Sequence, residues 1–252
     1  MKHFYTKMGM LVALSLGTII YSGNTLPTTA TTKHLTQQSN RTSTNDIYEK
    51  AVPSVFAIYL DSRTNKSSVS GTGFAIKAQN ELLIVTNEHV VSSKKQVFYL
   101  INKSGEKYKG RVIYSNKDDD IAFLKLSQKP NIPGLEIDSN INKFSIGTSV
   151  YTIGNPYDFL FSMSNGIISN LNENVVFEDG DFDELLIQTT INVNPGNSGG
   201  PLLNGDGEVI GIVSSMLEDS NGMSFAVPAK TIEKNIKKLN GETFWQWPVV
   251  KI

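Results

Sequence analysis

The chain has 252 residues, of which 39% are hydrophobic and 19% charged, a composition typical of a soluble globular protein that can bury a core. Its formal net charge of −1 argues against nucleic acid or another strongly anionic partner. The absence of cysteine excludes a disulfide scaffold and a thiolate metal site, and a single histidine outside the N-terminal segment argues against a zinc site. We therefore expect no metal and no other cofactor.

The N-terminal segment has the pattern of an export signal. Two lysines precede an apolar run, residues 8–21, which is shorter than the ~20 residues that a membrane-spanning helix needs. Small residues follow, and Thr28 and Ala30 fit a cleavage position, so 1–30 is interpreted as a secretory signal peptide. The alternative is an uncleaved membrane anchor, which would be the protein's sole contact with a membrane. The range 31–46 is rich in Thr, Ser, Gln and Asn and is predicted to be a flexible linker.

Export predicts a secreted or cell-envelope location. A secreted chain without cysteine is typical of bacterial exoproteins, especially Gram-positive ones.

From Ala51 onward, short β-rich runs alternate with turn signals, which predicts an all-β sandwich or barrel. A connection with two prolines, 128–142, separates two sets of runs. The predicted strands are 55–60, 73–76, 82–85, 96–101, 109–114 and 121–126 before the connection, and 149–153, 161–168, 185–190, 208–214 and 224–226 after it.

One helix is predicted, from Pro228 to Leu239. Proline suits a first helical turn, the apolar positions fall on one face, and Asn240-Gly241 stops the helix. The remaining range, 241–252, is an aromatic tail that we expect to pack on the protein surface rather than bind a partner.

A glycine-rich motif, Asn194–Pro201, surrounds one serine, Ser198. A serine hydroxyl attacks a carbonyl group only when a base removes its proton and donors stabilise the resulting oxyanion. Glycine at Gly196 lets the loop curl so that the N–H groups of Gly196 and Ser198 can converge on one oxygen. We assign the predicted oxyanion hole to Gly196, Asn197 and Ser198. Taken alone, the motif is also compatible with a simple turn between strands.

His89 is the sole histidine outside the N-terminal segment and lies where an apolar strand breaks into a polar turn. Of the three consecutive aspartates, Asp120 abuts an apolar run and is the candidate that orients His89. Asp118 and Asp119 are expected to lie in a solvated turn.

The chain order of these residues separates the possible hydrolase folds. An α/β-hydrolase needs a histidine after the serine, and none follows Ser198. A subtilisin-like order needs an acid before His89, where Asp46 and Asp61 have polar, turn-like surroundings. The order His89, Asp120, Ser198 is that of chymotrypsin-type double barrels.

Further motifs occur in the same order as in one family of proteases. They are 71–74 (GTGF), 86–91 (TNEHVV), 120–122 (DIA), 153–156 (IGNP), 188–189 (QT), 194–201 (NPGNSGGP), 211–212 (GI) and 225–228 (FAVP). Over roughly 47–239 the chain resembles the protease domain of the HtrA family of trypsin-like serine proteases. It departs from the family at Thr190-Ile191-Asn192, where many members have Asp-Ala-Ala, and no PDZ domain is expected after 241–252.

The resemblance implies an all-β, chymotrypsin-like fold of two six-stranded barrels with a short C-terminal helix. The protease domain would span 47–240, with barrels of shared topology over about 47–128 and 145–228. The implied activity is that of a serine endopeptidase that forms an acyl-enzyme on protein or peptide substrates. A trimer is possible by the same resemblance. A non-catalytic binding or holdase module, and a narrow processing protease of glutamyl-endopeptidase type, are the alternatives.

The resemblance also implies the residues of the S1 pocket, which are Asn192, Val193, Ser214, Met216 and Leu217. No aspartate lies where a trypsin-like pocket would bind Lys or Arg, and no histidine lies where glutamyl endopeptidases bind a Glu carboxylate. We therefore expect cleavage after medium-sized apolar P1 residues.

Overall fold

Two closed barrels of six antiparallel strands make up most of the fold. The computed structural model describes residues 42–60, 69–78, 81–92, 97–173, 176–177, 180–181, 186–214 and 223–241. The first barrel contains β1 (Val55–Tyr59), β2 (Gly71–Ala78), β3 (Glu81–Thr86), β4 (Val97–Asn102), β5 (Lys107–Asn116) and β6 (Ile121–Leu126). The second barrel begins with β7 (Ser149–Gly154) and β8 (Ser162–Glu173) and continues with β11 (Leu186–Thr189), β12 (Pro201–Leu203), β13 (Val209–Ser214) and β14 (Ser224–Pro228). A small hairpin, β9 (Val176–Phe177) and β10 (Gly180–Asp181), lies between β8 and β11.

The two barrels have the same topology. The first closes in the order β1-β2-β3-β6-β5-β4, and the second closes as β7-β8-β11-β14-β13-β12. In both, the third strand pairs with the sixth and the fourth pairs with the first. The predicted all-β double barrel with a C-terminal helix is therefore confirmed. Within the described ranges, the short barrel strand β12 and the hairpin strands β9 and β10 were not predicted.

The period of two along each strand divides the core into three clusters. In β1, Phe56 and Ile58 belong to the cluster inside the first barrel, whereas Val55 belongs to a cluster shared by both barrels. In β3, Ile84 and Val85 divide in the same way. The second barrel has its own cluster, which includes Val150, Ile168, Ile187, Leu202, Ile210 and Val213. We call the third cluster the shared core; it includes Val55, Phe74, Val85 and Phe123 from the first barrel and Ile153, Leu203, Ile212 and Val227 from the second.

Three α-helices lie within the described ranges: α1 (Thr44–Ala51), α2 (Glu88–Val91) and α3 (Ala229–Gly241). Short 3₁₀ turns occur at Val52–Ser54, Ile141–Lys143 and Pro156–Asp158. No helix in the described part of the chain is both long and apolar enough to cross a membrane.

Helix α1 corrects the predicted linker. Its N-cap, Ser43, accepts a bond from the Asp46 N–H at 3.1 Å, and the Ser43 N–H donates to Asp46 Oδ2 at 3.0 Å. This capping box and the burial of Ile47 and Ala51 in the shared core stabilise the helix. The last three positions of the range 31–46 are therefore helical. The predicted signal peptide lies outside the described residues.

Helix α3 confirms the predicted C-terminal helix with shifted bounds. Pro228 is the last residue of β14, where it pairs with Gly211, so the helix begins one residue later than expected. Ile232 and Leu239 bury one face of α3 in the shared core. The tail beyond Gly241 lies outside the described residues.

Candidate active site

Asp120 orients His89 through its carboxylate. The Nδ1 atom of His89 lies 2.9 Å from Oδ1 and 3.0 Å from Oδ2 of Asp120, and the His89 backbone N–H donates to Oδ1 at 3.2 Å. An ionised carboxylate only accepts hydrogen bonds, so Nδ1 carries the proton and Nε2 is left to act as a base. Asp120 is 3% exposed, whereas His89 is half-buried, so the ring remains accessible to a substrate.

The backbone around Asp120 is fixed independently of its carboxylate. Asp120 has a φ of +44°, in the left-handed region that aspartate adopts more readily than most residues. Its N–H donates to the Lys117 carbonyl at 3.1 Å, and its carbonyl accepts from Asn87 Nδ2 at 2.9 Å. Asn87 is the N-cap of α2, but its side chain makes no cap bond; its Nδ2 donates to the Asp120 carbonyl. The start of α2, which carries His89, is thereby tied to the turn that carries Asp120.

Ser214, a residue of the predicted substrate pocket, makes a contact that was not predicted. Its hydroxyl donates to Asp120 Oδ2 at 3.2 Å. Ser214 is the last residue of β13 in the second barrel, and it is buried. Its side chain therefore supports the acid from the opposite barrel. No local sequence pattern indicates this role, because the contact joins residues 94 positions apart.

The two other aspartates of the triplet differ from each other. Asp118 is exposed, as expected, but Asp119 is 1% exposed, so the prediction of a solvated turn was wrong for Asp119. Helix α3 covers the turn, and its Lys234 and Asn235 side chains bind the Asp119 carboxylate. Three adjacent identical residues do not reveal from sequence which of them face the protein interior.

The loop that carries Ser198 is bound to the first barrel, beside the strand end that leads to His89. The Thr72 N–H donates to the Ser198 carbonyl at 2.8 Å, and the Thr72 hydroxyl donates to the Gly196 carbonyl at 2.6 Å. Gly199 has a φ of +84°, and a side chain there would overlap the Thr72 carbonyl oxygen and the Thr86 hydroxyl. The glycine therefore allows the loop to reach the ends of β2 and β3, next to α2.

Two carbonyl groups fix the direction of the predicted oxyanion donors. In a trans peptide the C=O and the following N–H point in opposite directions. The Pro195 carbonyl accepts from the Tyr157 N–H at 3.0 Å, so the Gly196 N–H points away from Tyr157. The Asn197 carbonyl likewise accepts from the Gly200 N–H at 2.9 Å, which sets the direction of the Ser198 N–H.

Asn197 has a different role from its neighbours. Its N–H donates to the Asn194 carbonyl at 2.9 Å, so it is already used inside the loop and does not serve an oxyanion. The assignment of Asn197 to the oxyanion hole is corrected accordingly, because the turn from Asn194 to Asn197 consumes that donor. Asn197 is buried, and its side chain fills the space that glycine leaves at Gly154.

Asn155 and Thr72 belong to two of the sequence motifs, 153–156 and 71–74, but had no predicted role. Asn155 is fully buried; its Nδ2 donates to the Thr72 hydroxyl at 2.9 Å, and its Oδ1 accepts from the Phe161 N–H at 3.0 Å. The Thr72 hydroxyl in turn holds the Gly196 carbonyl. Asn155 therefore braces the serine loop through Thr72. The carbonyl oxygen of Asn155 also occupies the space where a side chain at Gly196 would lie.

The predicted pocket residues are partly described. Val193 is half-buried and packs against the core of the second barrel, and Asn192 is exposed. Met216 and Leu217 lie outside the described residues. Within the described ranges, no cluster of three His, Asp or Glu side chains is arranged to hold a metal ion. The site thus contains a histidine bonded to a buried carboxylate, a serine loop bonded to the same barrel, and two loop N–H groups of fixed direction.

Several known proteins are similar to this chain in sequence or in fold. The sequence profile of the family "Trypsin-like peptidase domain" matches residues 71–212. A "Probable periplasmic serine endoprotease DegP-like" of Chlamydia pneumoniae is 35% identical over 178 residues, which are 69% of this chain and 35% of that protein. A "Serine protease HtrA-like" of Staphylococcus aureus is 34% identical over 195 residues, which are 72% of this chain and 25% of that protein.

Among solved structures, a serine endoprotease from Yersinia pestis is 30% identical, with a TM-score of 0.64. The likeness covers 80% of this chain and 68% of that one. The chain spans about a third or less of the length of the two curated relatives.

Proposed function

Because this chain belongs to the trypsin-like peptidase family and has HtrA and DegP serine proteases as homologues, we propose that it is a serine endopeptidase acting on protein or peptide substrates. The proposed catalytic triad is His89, Asp120 and Ser198. The observation that carries the proposal is the Asp120 carboxylate on Nδ1 of His89, beside a serine loop that is hydrogen-bonded to the same barrel.

In the proposed reaction, Ser198 Oγ attacks the carbonyl carbon of the scissile peptide bond while its proton passes to Nε2 of His89. The tetrahedral intermediate collapses with cleavage of the C–N bond, and the proton on Nε2 passes to the leaving amine nitrogen. A water molecule then adds to the acyl carbon while giving a proton to Nε2. That proton returns to Ser198 Oγ as the carboxylic acid leaves. Asp120 stays ionised and stabilises the imidazolium at each stage.

The oxyanion of each tetrahedral intermediate would accept hydrogen bonds from the N–H groups of Gly196 and Ser198. Their directions are set before substrate binds, because the Pro195 and Asn197 carbonyls are already bonded. Donors that need no reorganisation stabilise developing charge most effectively, and losing one typically lowers turnover by ~10²–10³.

The proposed P1 preference is for Val, Ile, Leu, Met or Ala. Val193 supplies an apolar wall close to the serine, and none of the proposed pocket residues carries a charge. A charged P1 side chain would be buried without a partner, at a cost on the order of 3–5 kcal/mol, whereas one methylene changes binding by only ~1–3 kcal/mol. A peptide-library profile should therefore exclude charge sharply and discriminate poorly among aliphatic residues. A profile dominated by Glu or Arg would overturn the assignment.

We further propose that the protein acts outside the cytoplasm of a Gram-positive bacterium. The lysine-flanked apolar run at residues 8–21 and the lack of cysteine support this location. The printed name of the Chlamydia relative also describes a periplasmic protein. Microsequencing of the mature N-terminus from culture medium would test cleavage near residue 30.

Labelling with a fluorophosphonate tests the proposed chemistry directly. The purified protein should be labelled on Ser198 and should cleave an unfolded substrate such as casein. Ser198→Ala should lose the label and lower turnover by ~10⁴–10⁶ while keeping its circular dichroism spectrum. Ser145→Ala, which changes an exposed serine in the connection between the barrels, is the matched control. Folded parent protein that takes no label would favour the holdase alternative, and activity retained by Ser198→Ala would refute the triad.

A further inference from the structure

Asp119 is a buried carboxylate next to the proposed catalytic acid, and its side chain points into a polar network. Its Oδ2 accepts from Asn116 Nδ2 at 2.7 Å and from Asn235 Nδ2 at 2.8 Å. Its Oδ1 accepts from Lys234 Nζ at 3.1 Å, and Lys238 Nζ lies 3.8 Å from Oδ2. Two cations and two amides therefore surround a carboxylate whose side chain is inaccessible to solvent.

This network crosses from one barrel to the other. Asn235, Lys234 and Lys238 belong to α3, which follows β14 and packs against β13 of the second barrel. Asn116 ends β5 of the first barrel, and Tyr114 in the same strand donates its hydroxyl to Asn235 Oδ1 at 2.7 Å. The turn between β5 and β6 is thus held by the C-terminal helix of the opposite half of the fold.

The carboxylate of Asp120, like that of Asp119, is bound by a residue of the second barrel. Asp120 accepts from Ser214 of the second barrel, and Asp119 accepts from α3 of the second barrel. These successive residues of one turn thus reach two different partners in the second barrel, and Asp120 has a left-handed φ of +44°. The acid and base of the proposed triad belong to the first barrel, whereas Ser198 belongs to the second. Contacts at this turn therefore bear on the position of the acid and base relative to the serine.

We propose that Asp119 is a positioning residue: through α3 it fixes the turn that presents Asp120, and thereby the alignment of His89 with Ser198. The inference rests on the proposed serine-protease function. A general stabilising contact would change the fraction of folded protein. A positioning contact also changes the rate at which the folded protein reacts, because small misplacements of reacting groups lower rates strongly.

The test uses a fluorophosphonate probe and separates its binding constant (KI) from its rate constant of reaction (kinact). Asp119→Ala should lower kinact by ~10–100-fold, with KI within about twofold of the parent. Asn235→Ala removes the partner from α3 and should have the same effect. Because both changes break one network, the double variant should react about as slowly as the slower single variant rather than show the product of both losses. Rates are corrected for the folded fraction measured by urea unfolding.

Two variants serve as matched controls, one in the same turn and one at a different ion pair. Asp118→Ala changes the exposed neighbour in the same turn, and Asp138→Asn breaks an ion pair with Lys143 at 2.9 Å elsewhere on the surface. Neither should change kinact. If Asp119→Ala does not fold, the same kinact measurement on Lys234→Met and Asn235→Ala tests the proposal. A kinact within threefold of the parent in the folded variants, or a loss confined to KI, overturns the proposal. Absence of label on the parent protein would instead refute the serine-protease function on which it rests.

Discussion

Replacing Thr72 by valine tests how the serine loop is held without touching a proposed catalytic residue. The Thr72 hydroxyl accepts from Asn155 Nδ2 at 2.9 Å and donates to the Gly196 carbonyl at 2.6 Å. Valine has nearly the same shape as threonine but can make neither bond. The other partner within reach of Asn155 Nδ2 is the Phe56 carbonyl, at the longer distance of 3.4 Å.

The expected loss of stability follows from the burial of the two groups left behind. Asn155 is fully buried, so the Nδ2–H group that bonded to the Thr72 hydroxyl loses its partner, at a cost of ~1–3 kcal/mol. Gly196 is half-buried, so its carbonyl adds less. Together they lower the free energy of unfolding by roughly 2–4 kcal/mol. For a domain of this size that corresponds to a fall in Tm of roughly 4–16 °C.

The same change should slow catalysis, because the Gly196 carbonyl sets the orientation of the oxyanion loop. We expect kcat to fall by ~10–100-fold, less than the ~10²–10³ typical for deleting an oxyanion donor outright. Differential scanning fluorimetry gives Tm, and cleavage of a chromogenic peptide with an apolar P1 residue gives kcat. Thr72→Ser, which keeps the hydroxyl and loses one methyl group, is the matched control. If Thr72→Val and Thr72→Ser are equal in both measurements, the hydroxyl does not brace the loop and the reasoning is wrong.

Two further predictions concern the acid and its neighbour. Asp120→Asn should lower kcat/KM for peptide cleavage by about 10⁴ at neutral pH, because the amide favours the wrong tautomer of His89. If Asp120→Asn cleaves the peptide as fast as Asp118→Asn, the acid is misassigned. Burial, and secondarily the Asp120 charge, raise the pKa of Glu88 above its ordinary value, so the charged form destabilises the fold once the pH exceeds that raised pKa. Glu88→Gln should therefore raise Tm at pH 7 and lose this advantage near pH 3, below the ordinary pKa of glutamate, where Glu88 is protonated in both folded and unfolded states. An equal shift at both pH values would contradict the cause.

The features predictable from sequence were local or depended on chain order. Strands with clear alternation and turn signals were found, as was α3, and the order of His89, Asp120 and Ser198 selected the double barrel. The missed strand β12 has three residues, begins with Pro201 and directly follows the glycine-rich loop, so it shows no alternation. The missed helix α1 begins in a Ser/Thr-rich stretch whose composition conceals its capping box.

What the sequence could not supply was contact between distant residues. Asn155 meets Thr72 across 83 positions, and Ser214 meets Asp120 across 94. The burial of Asp119 depends on α3, which lies more than a hundred residues further along the chain. Each of these polar side chains would suit an exposed turn equally well, and only closure of the two barrels on each other buries it.

The shared core determines how the two barrels unfold. Because it takes side chains from both barrels and from α1 and α3, neither barrel can melt without exposing apolar surface of the other. We therefore expect this region to unfold in a single cooperative transition rather than one half at a time. Since the proposed nucleophile and its proposed base come from different barrels, proteolytic activity should vanish in urea at the same midpoint as the spectroscopic signal of the fold. The protein would then have no partly folded state that retains proteolytic activity.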